Sequence, residues 1–463
     1  MTITDVSSRY LCAGAHLDRA FTRDVIRKIL RQPHRAVGPS SGVDTALVLR
    51  HCIAAYRRRL LRDAALVPMI AAIAWGANTE NVALIVVAVV AAWAVVLLEQ
   101  AVIRFDILAA RLGPHRPEPW LPTSPRLQAR LDELAAAECE NVVIYNAYEP
   151  FVGSGPQVGG WSFVIDLAKG KEELAARCRP EPLDLAEVRA RVLDAVHAAG
   201  IDGLRADEVI HVSHDRVAEL RLRSGTRSGR PIGHLDPAAL QHFLDRPSDT
   251  CRHFQRFQVT AWGGEIVFTV FLRFVEIRGR LYAEATYTLL SPVAHKWHVV
   301  DAIEPAPLPL EILRIMTSSA ITTSGALTGA VPRLLSEAWQ TWVQQPLQRW
   351  EADVAEREGG IRDCATLTTV RQRGASTAYW RHFQRLDQER YVKLLERAVL
   401  DTLTAVLDEH GIDTSELVER QTTILNQGVM MTGGSLHAQS LAVGRGARVV
   451  AKTRRLAART RAA

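Results

Sequence analysis

Glycines and histidines supply the candidate chemistry of this chain. Phe151 to Gly160 reads FVGSGPQVGG, which gathers Gly153, Gly155, Gly159 and Gly160 between two strand-like segments. Successive backbone N–H groups in such a loop can cradle a phosphate. The stretch matches neither GxxxxGK[ST] nor GxGxxG, so a plain glycine-rich connection competes with a phosphate cradle. A second group is His211, His214 and Asp215. Two histidines three apart share a face on a helix and could hold a metal ion. Glu208–Val212 reads instead as a strand, which points neighbouring side chains apart, and no third ligand is evident. His295, His298 and Asp301 fall near the end of a sheet, with Cys251 and His253 at its start. A Cys-His or His-Asp pair there could serve nucleophilic catalysis. With fifteen histidines in 463 residues, chance proximity is the simpler account. None of these groups assembles a recognisable active site, and the cofactor stays unknown.

The elements that must position these residues read as an α+β chain. Asn141–Tyr145 and Trp161–Asp166 are expected strands, and Pro182–Gly200 an expected helix with Leu185, Val188, Val192 and Val196 on one face. An antiparallel meander follows. His253–Trp262 alternates polar and apolar residues, Gly263-Gly264 offers a two-residue turn, and Glu265–Ile277 turns its Ile266, Phe268, Val270, Leu272 and Phe274 inward. Arg278-Gly279-Arg280 makes the next turn before Leu281–Leu290, and Trp297–Val300 is a candidate fourth strand. Arg273 and Glu284 are placed to pair across this meander. Residues 310–411 read as helical. Trp339, Trp342 and Trp350 are expected to pack there, and Trp380–His410 is expected to be a long brace closed by Gly411.

The most apolar stretch lies earlier, from Ala64 to Ile103. From Val82 to Leu98 no residue carries a charge, a length that reaches the roughly 17–25 residues a membrane span needs. Ala64–Ala77 is shorter and contains Pro68, which should kink a helix that starts upstream. Arg62 can lengthen that span by snorkelling to the headgroups. The polar Asn78–Asn81 is short enough to join two antiparallel helices. Basic residues flank both ends, with Arg57, Arg58, Arg59 and Arg62 before and Arg104 and Arg111 after, while the connecting loop has only Glu80. Positive flanks stay cytoplasmic, so a two-span hairpin in the cytoplasmic membrane with both chain termini cytoplasmic is expected. The alternatives are a single span at Val82–Ile103 and a buried hairpin of a soluble protein.

The domain plan that follows is a basic helical region at 1–62, a transmembrane helical hairpin at 63–103 and a Pro-rich linker at 104–125. A cytosolic mixed α/β domain occupies 126–309, a helical region 310–411, and an uncharged β-prone segment with a basic tail 412–463. His16–Gln32 forms a basic amphipathic helix, suited either to the inner leaflet or to packing on the domain. Asp44 should cap the helix that leads into the first span.

The net charge of +6 and pI near 9.1 invite a nucleic-acid partner. Six of the 56 basic residues are lysine, however, so arginine dominates as in GC-rich coding. The basic residues also sit beside the spans and at the C-terminus, where anionic lipid accounts for them equally well. Cys12, Cys52, Cys139, Cys178, Cys251 and Cys364 form no CxxC pair. Their wide spacing argues against a disulfide framework or structural zinc and suits a reducing compartment.

The basic N-terminus, the apolar hairpin, the NVVIYN…GSG…GGWSFVID segment and the RFQVTAWGGEIVF meander together resemble uncharacterised membrane proteins of GC-rich bacteria. That resemblance implies no activity, substrate or catalytic residue. Ile424–Gly444, low in charge and rich in amides and glycine, distantly resembles short amyloid-type signalling motifs of bacterial conflict proteins, which implies self-assembly. The expected function is a membrane-anchored cytosolic interaction or scaffold protein, partnered by the lipid bilayer, by copies of itself and by a protein not identified from sequence. The alternative is a membrane-tethered enzyme with a ligand or nucleotide pocket near Gly153–Gly160.

Overall fold

The computed structural model describes residues 6–426, apart from 114–122, 139–140, 147, 174–175, 178, 221, 223–229, 245–249, 304–308, 349, 351–353 and 355–362. Residues 114–122 of the expected linker and 427–463 of the expected C-terminal segment therefore lie outside the described residues.

The chain is mixed α+β. It opens with α1 (Val6–Leu17) and α2 (Arg19–Val25), which runs on as a π-helical turn, Ile26–Leu30. The helix expected over 16–32 is broken because Asp18 leaves the helical conformation and caps α2, accepting from the Ala20 and Phe21 N–H groups at 2.9 and 3.1 Å. The apolar face of α2 packs inward, with Phe21, Val25, Ile26 and Leu30 joining Leu11, Leu49 and Trp297 in one core. Asp44 caps α3 (Thr45–Asn78) as expected, accepting from Leu47 N–H at 2.9 Å. Pro68 lies inside α3, which continues through it. After a short turn comes α4 (Val82–Ala101), prolonged by the π-helical Val102–Arg111. These two helices are long and apolar enough to cross a membrane.

Next come α5 (Pro125–Ala137), β1 (Val142–Tyr145), β2 (Gln157–Asp166), the small pair β3 (Glu172–Glu173) and β4 (Ala176–Arg177), and α6 (Leu185–Ala198). They lead to β5 (Leu204–Ser213), α7 (Pro237–Leu244), β6 (Cys251–Ala261), β7 (Ile266–Ile277) and β8 (Arg280–Leu290). The sheet order is β1-β5-β6-β7-β8-β2, with β1 parallel to β5 and every other pairing antiparallel. The expected meander is therefore present, and Arg273 sits opposite Glu284 with Nη1 3.3 Å from Oε1.

Three local expectations are corrected. The first turn holds four residues, Trp262–Glu265, between the paired Ala261 and Ile266, and Trp262, Gly263 and Gly264 all have positive φ. Gly159 and Gly160 belong to β2, where they pair with Tyr287 and Thr286. Trp297–Val300 is part of a 3-10 turn, His295–Ala302, because Trp297 is drawn under α1 against Phe21.

Then come α8 (Pro309–Trp339) with its π-helical extension Gln340–Gln344, α9 (Val370–Gly374), α10 (His382–Glu409) and α11 (Ser415–Asn426). The even-numbered residues of β7 face α6 and α10, so Phe268, Val270 and Leu272 share a core with Val192, Leu400 and Leu403. Thus α10 is a brace on the sheet. The opposite face holds Phe254 and Phe271 beneath Phe151. Arg371 from α9 is fully buried and donates to the Glu265 and Ser291 carbonyls at 2.7 Å, tying both ends of the β7–β8 hairpin to the helices.

Candidate functional site

The glycines singled out from sequence serve close packing. Gly153 and Gly155 both have φ of +91°, a region that disfavours side chains. A Cβ at Gly153 would overlap the Pro39 carbonyl, at Gly155 the Leu289 carbonyl, and at Gly160 the Ala285 carbonyl. Gly159 faces the Tyr287 ring. Backbone carbonyls therefore approach Gly153, Gly155 and Gly160 more closely than a side chain would allow, which gives each glycine a packing role.

His211 and His214 separate. His211 lies in β5 with Nδ1 2.8 Å from the Pro150 carbonyl, and its ring is enclosed by Phe151, Phe254 and Phe271. Burial pushes its pKa down to about 3, so it is neutral. His214 starts a 3-10 turn at the surface side. Among the described residues no three His, Cys, Asp or Glu side chains converge to hold a metal ion.

A different set does converge at the far end of the sheet. His298 stacks on Tyr10 at 3.8 Å, its Nε2 lies 3.5 Å from Glu265, and the Tyr10 hydroxyl donates to Asp301 at 2.6 Å. Arg9 also pairs with Asp301, at 2.5 Å. Burial raises the Glu265 carboxyl and lowers the His298 imidazole, each favouring its neutral form. Cys251 and His253 stand at the other end of the meander, on β6 beside β5. Sequence alone missed Tyr10 and Arg9, which come from some 290 residues away.

The most unusual site lies where α3, α4 and α8 meet. The outer surfaces of α3 and α4 expose large apolar side chains, Leu61, Trp75, Val82, Val86, Val87, Val90 and Leu98 among them. Below this surface the basic flank is turned into a network. Asp63, almost wholly buried, accepts from Arg62 Nη2 at 2.7 Å and from Arg333 Nε and Nη2 at 2.8 and 2.9 Å. Arg62 Nη1 also donates to the buried Glu99 at 2.7 Å. Hence Arg62 does not reach outward to headgroups, because two buried carboxylates hold it. Arg58 donates to His16 Nδ1 at 2.9 Å, Arg59 to the His16 carbonyl at 2.8 Å, and Arg104 to Glu311 at 2.6 Å. Arg111 pairs with Asp106, and Arg57 is exposed.

The partner of both hairpin helices is α8, from the region the sequence reads only as helical. It runs obliquely over the hairpin, from Glu311 at the foot of α4 to Arg333 and Glu337 at the foot of α3. Its small residues make the contact, with Ala326 and Ala330 against Leu66, Ala92 and Val96, and Ser319 receiving Trp93 Nε1–H at 2.9 Å. From Ile315 to Pro332 it has no charged residue. Its outward face carries Ile321 at 77% exposure, followed by Leu335 and Trp339. Its hydroxyls turn back onto its own carbonyls: Thr317 to Leu313, Ser318 to Ile315, Thr322 to Ser318, Thr323 to Ser319, Ser324 to Ile321 and Thr328 to Ser324, all between 2.7 and 3.2 Å. Each of these hydroxyls thereby finds an acceptor within its own helix. Trp339, Trp342 and Trp350, expected as packing residues, are instead 58%, 79% and 62% exposed. They continue the apolar surface away from the hairpin.

Fold and site together define an α+β protein that carries two helices long and apolar enough to cross a membrane. The chain belongs to the AbeC-like domain family, whose model matches residues 160–439, more than half of its length. The family description names no activity, and the match spans the sheet from within β2 together with α8 and α10, leaving the hairpin outside. No curated protein and no solved structure matches the chain.

Proposed function

We propose that this chain is a two-span protein of the cytoplasmic membrane that holds its α+β domain and both termini on the cytoplasmic side, as an anchored interaction scaffold. The observation that carries this reading is the surface of α3, α4 and α8: apolar side chains outward, hydroxyls satisfied internally, and ionised groups paired at the base. Water would penalise that arrangement and lipid would not. Exposed tryptophans at the end of α8 suit the headgroup level. The orientation follows from the arginine-rich flanks and the uncharged tip. A scaffold role is supported by the way the sheet spends its titratable groups in packing, as His211 and the His298–Glu265 pair do.

Membrane fractionation tests the anchor. The full chain should resist extraction by alkaline carbonate and come out only with detergent, whereas release by carbonate would remove the proposal. The scaffold role predicts that removing residues 421–463 abolishes chemical cross-linking between copies or to a partner. Unchanged cross-linking would count against it.

A further inference from the structure

Two π-helical turns face each other across a cleft of about 380 Å³. One wall is Ile26–Leu30, which presents Arg27 and Lys28, and the other is Gln340–Gln344. π-helical turns are rare and concentrate at functional sites. The charges in the cleft are unevenly compensated. Arg31 is matched by Glu337 and Tyr56, and Asp24 is taken by Arg373. Among the described residues neither the Arg27 nor the Lys28 side chain makes a hydrogen bond or ion pair, so two cations stand side by side at its edge. The facing wall is made of neutral carboxamides, and the buried Oε1 of Gln340 has no hydrogen-bond partner. A half-turn of that amide would aim N–H groups at an incoming anion.

We infer that this cleft binds a phosphate group, and that the phosphate belongs to an anionic phospholipid headgroup. Two cations with amide donors fit the charge and hydrogen-bonding capacity of a phosphate ester. The lipid source rests on the membrane reading above. The cleft adjoins the end of α8 where Trp339 and Trp342 are exposed, and basic pockets beside cytoplasmic helix ends recognise such headgroups. The apolar Leu367, which lines the cleft, and Val343, in its π-helical wall, would meet the acyl chains.

The test uses full-length protein in nanodiscs of phosphatidylcholine with and without phosphatidylglycerol, followed by exchange into a mild detergent and measurement of retained lipid by native mass spectrometry. Wild type should retain phosphatidylglycerol selectively. The double variant R27Q/K28Q should weaken that retention by roughly 30-fold, from about fivefold per basic residue, with an unchanged melting temperature. R280Q, which removes an exposed charge at the β7–β8 turn, should leave retention intact. Equal retention by R27Q/K28Q, or an equal loss in R280Q, would overturn the site. Inorganic phosphate is titrated in a parallel arm. If it displaces the lipid at micromolar concentration, a soluble phosphate is the occupant and the lipid assignment is overturned. Carbonate extraction reports on the anchor separately, so a failed anchor and a failed cleft give different results.

Discussion

Asp63→Ala should be among the most damaging single changes in this protein. Its carboxylate is almost completely inaccessible and accepts two hydrogen bonds from Arg62 and two from Arg333. Removing one member of a buried pair strands the other charge, at a typical cost of about 3–5 kcal/mol. Arg62 keeps its 2.7 Å contact with Glu99, so the penalty falls mainly on Arg333, 270 residues away in sequence. At about 2 °C per kcal/mol for a chain of this size, the melting temperature should fall by roughly 6–10 °C. Arg333→Ala should behave similarly but less severely, since Asp63 retains Arg62. The double variant should be less damaging than the two singles combined, by about 2 kcal/mol, because removing both partners leaves no orphaned charge. Thermal unfolding of detergent-solubilised protein measures all three. Additive effects, or a D63A cost below about 1 kcal/mol, would show that α8 is not locked to the hairpin through this pair.

Two further outcomes follow from the sheet domain. Gly155→Ala should destabilise the fold by about 3 kcal/mol or more, since φ of +91° and the Leu289 carbonyl both oppose a Cβ. Its melting temperature should drop even without any phosphate present, whereas a loop built for a ligand would lose binding and keep its stability. His211 makes stability depend on pH. Unfolded, its imidazole protonates near pH 6.5; in the fold it does so only at about 3. Between those values the unfolded chain holds the extra proton, so stability is lost as pH falls through the unfolded value. The loss from this group between pH 7.5 and 5.5 is about 1.4 kcal/mol. Urea unfolding at the two pH values should show that component in wild type and lack it in His211→Phe; an identical slope in both would contradict the assigned burial.

Much of the architecture is legible in the sequence where a local pattern decides it. The uninterrupted apolar run of α4, the alternation in β6–β8 and the cap at Asp44 are all such patterns, and the matching elements are present. The register that brings Arg273 to Glu284 follows from the Arg278-Gly279 turn alone. What escaped depends on distant partners. Serine, threonine and glycine dilute the apolar character of α8, and Pro332 interrupts its period, so nothing local marks it as the third helix of the hairpin. The flanking arginines are plain to see, but their carboxylates on α3, α4 and α8 are not. Likewise, nothing local announces that the carbonyls of Pro39, Leu289 and Ala285 press against Gly153, Gly155 and Gly160.

The hairpin geometry is most directly tested at its tip. Thr79→Cys puts a thiol on the exposed turn between α3 and α4, while the native Cys12, Cys52, Cys251 and Cys364 are buried. In intact cells a membrane-impermeant maleimide should label T79C far above the parent protein, and Arg57→Cys, at the exposed foot of α3, should react only after permeabilisation. Labelling of R57C in intact cells, or protection of T79C until the cells are opened, would contradict a hairpin inserted from the cytoplasmic side.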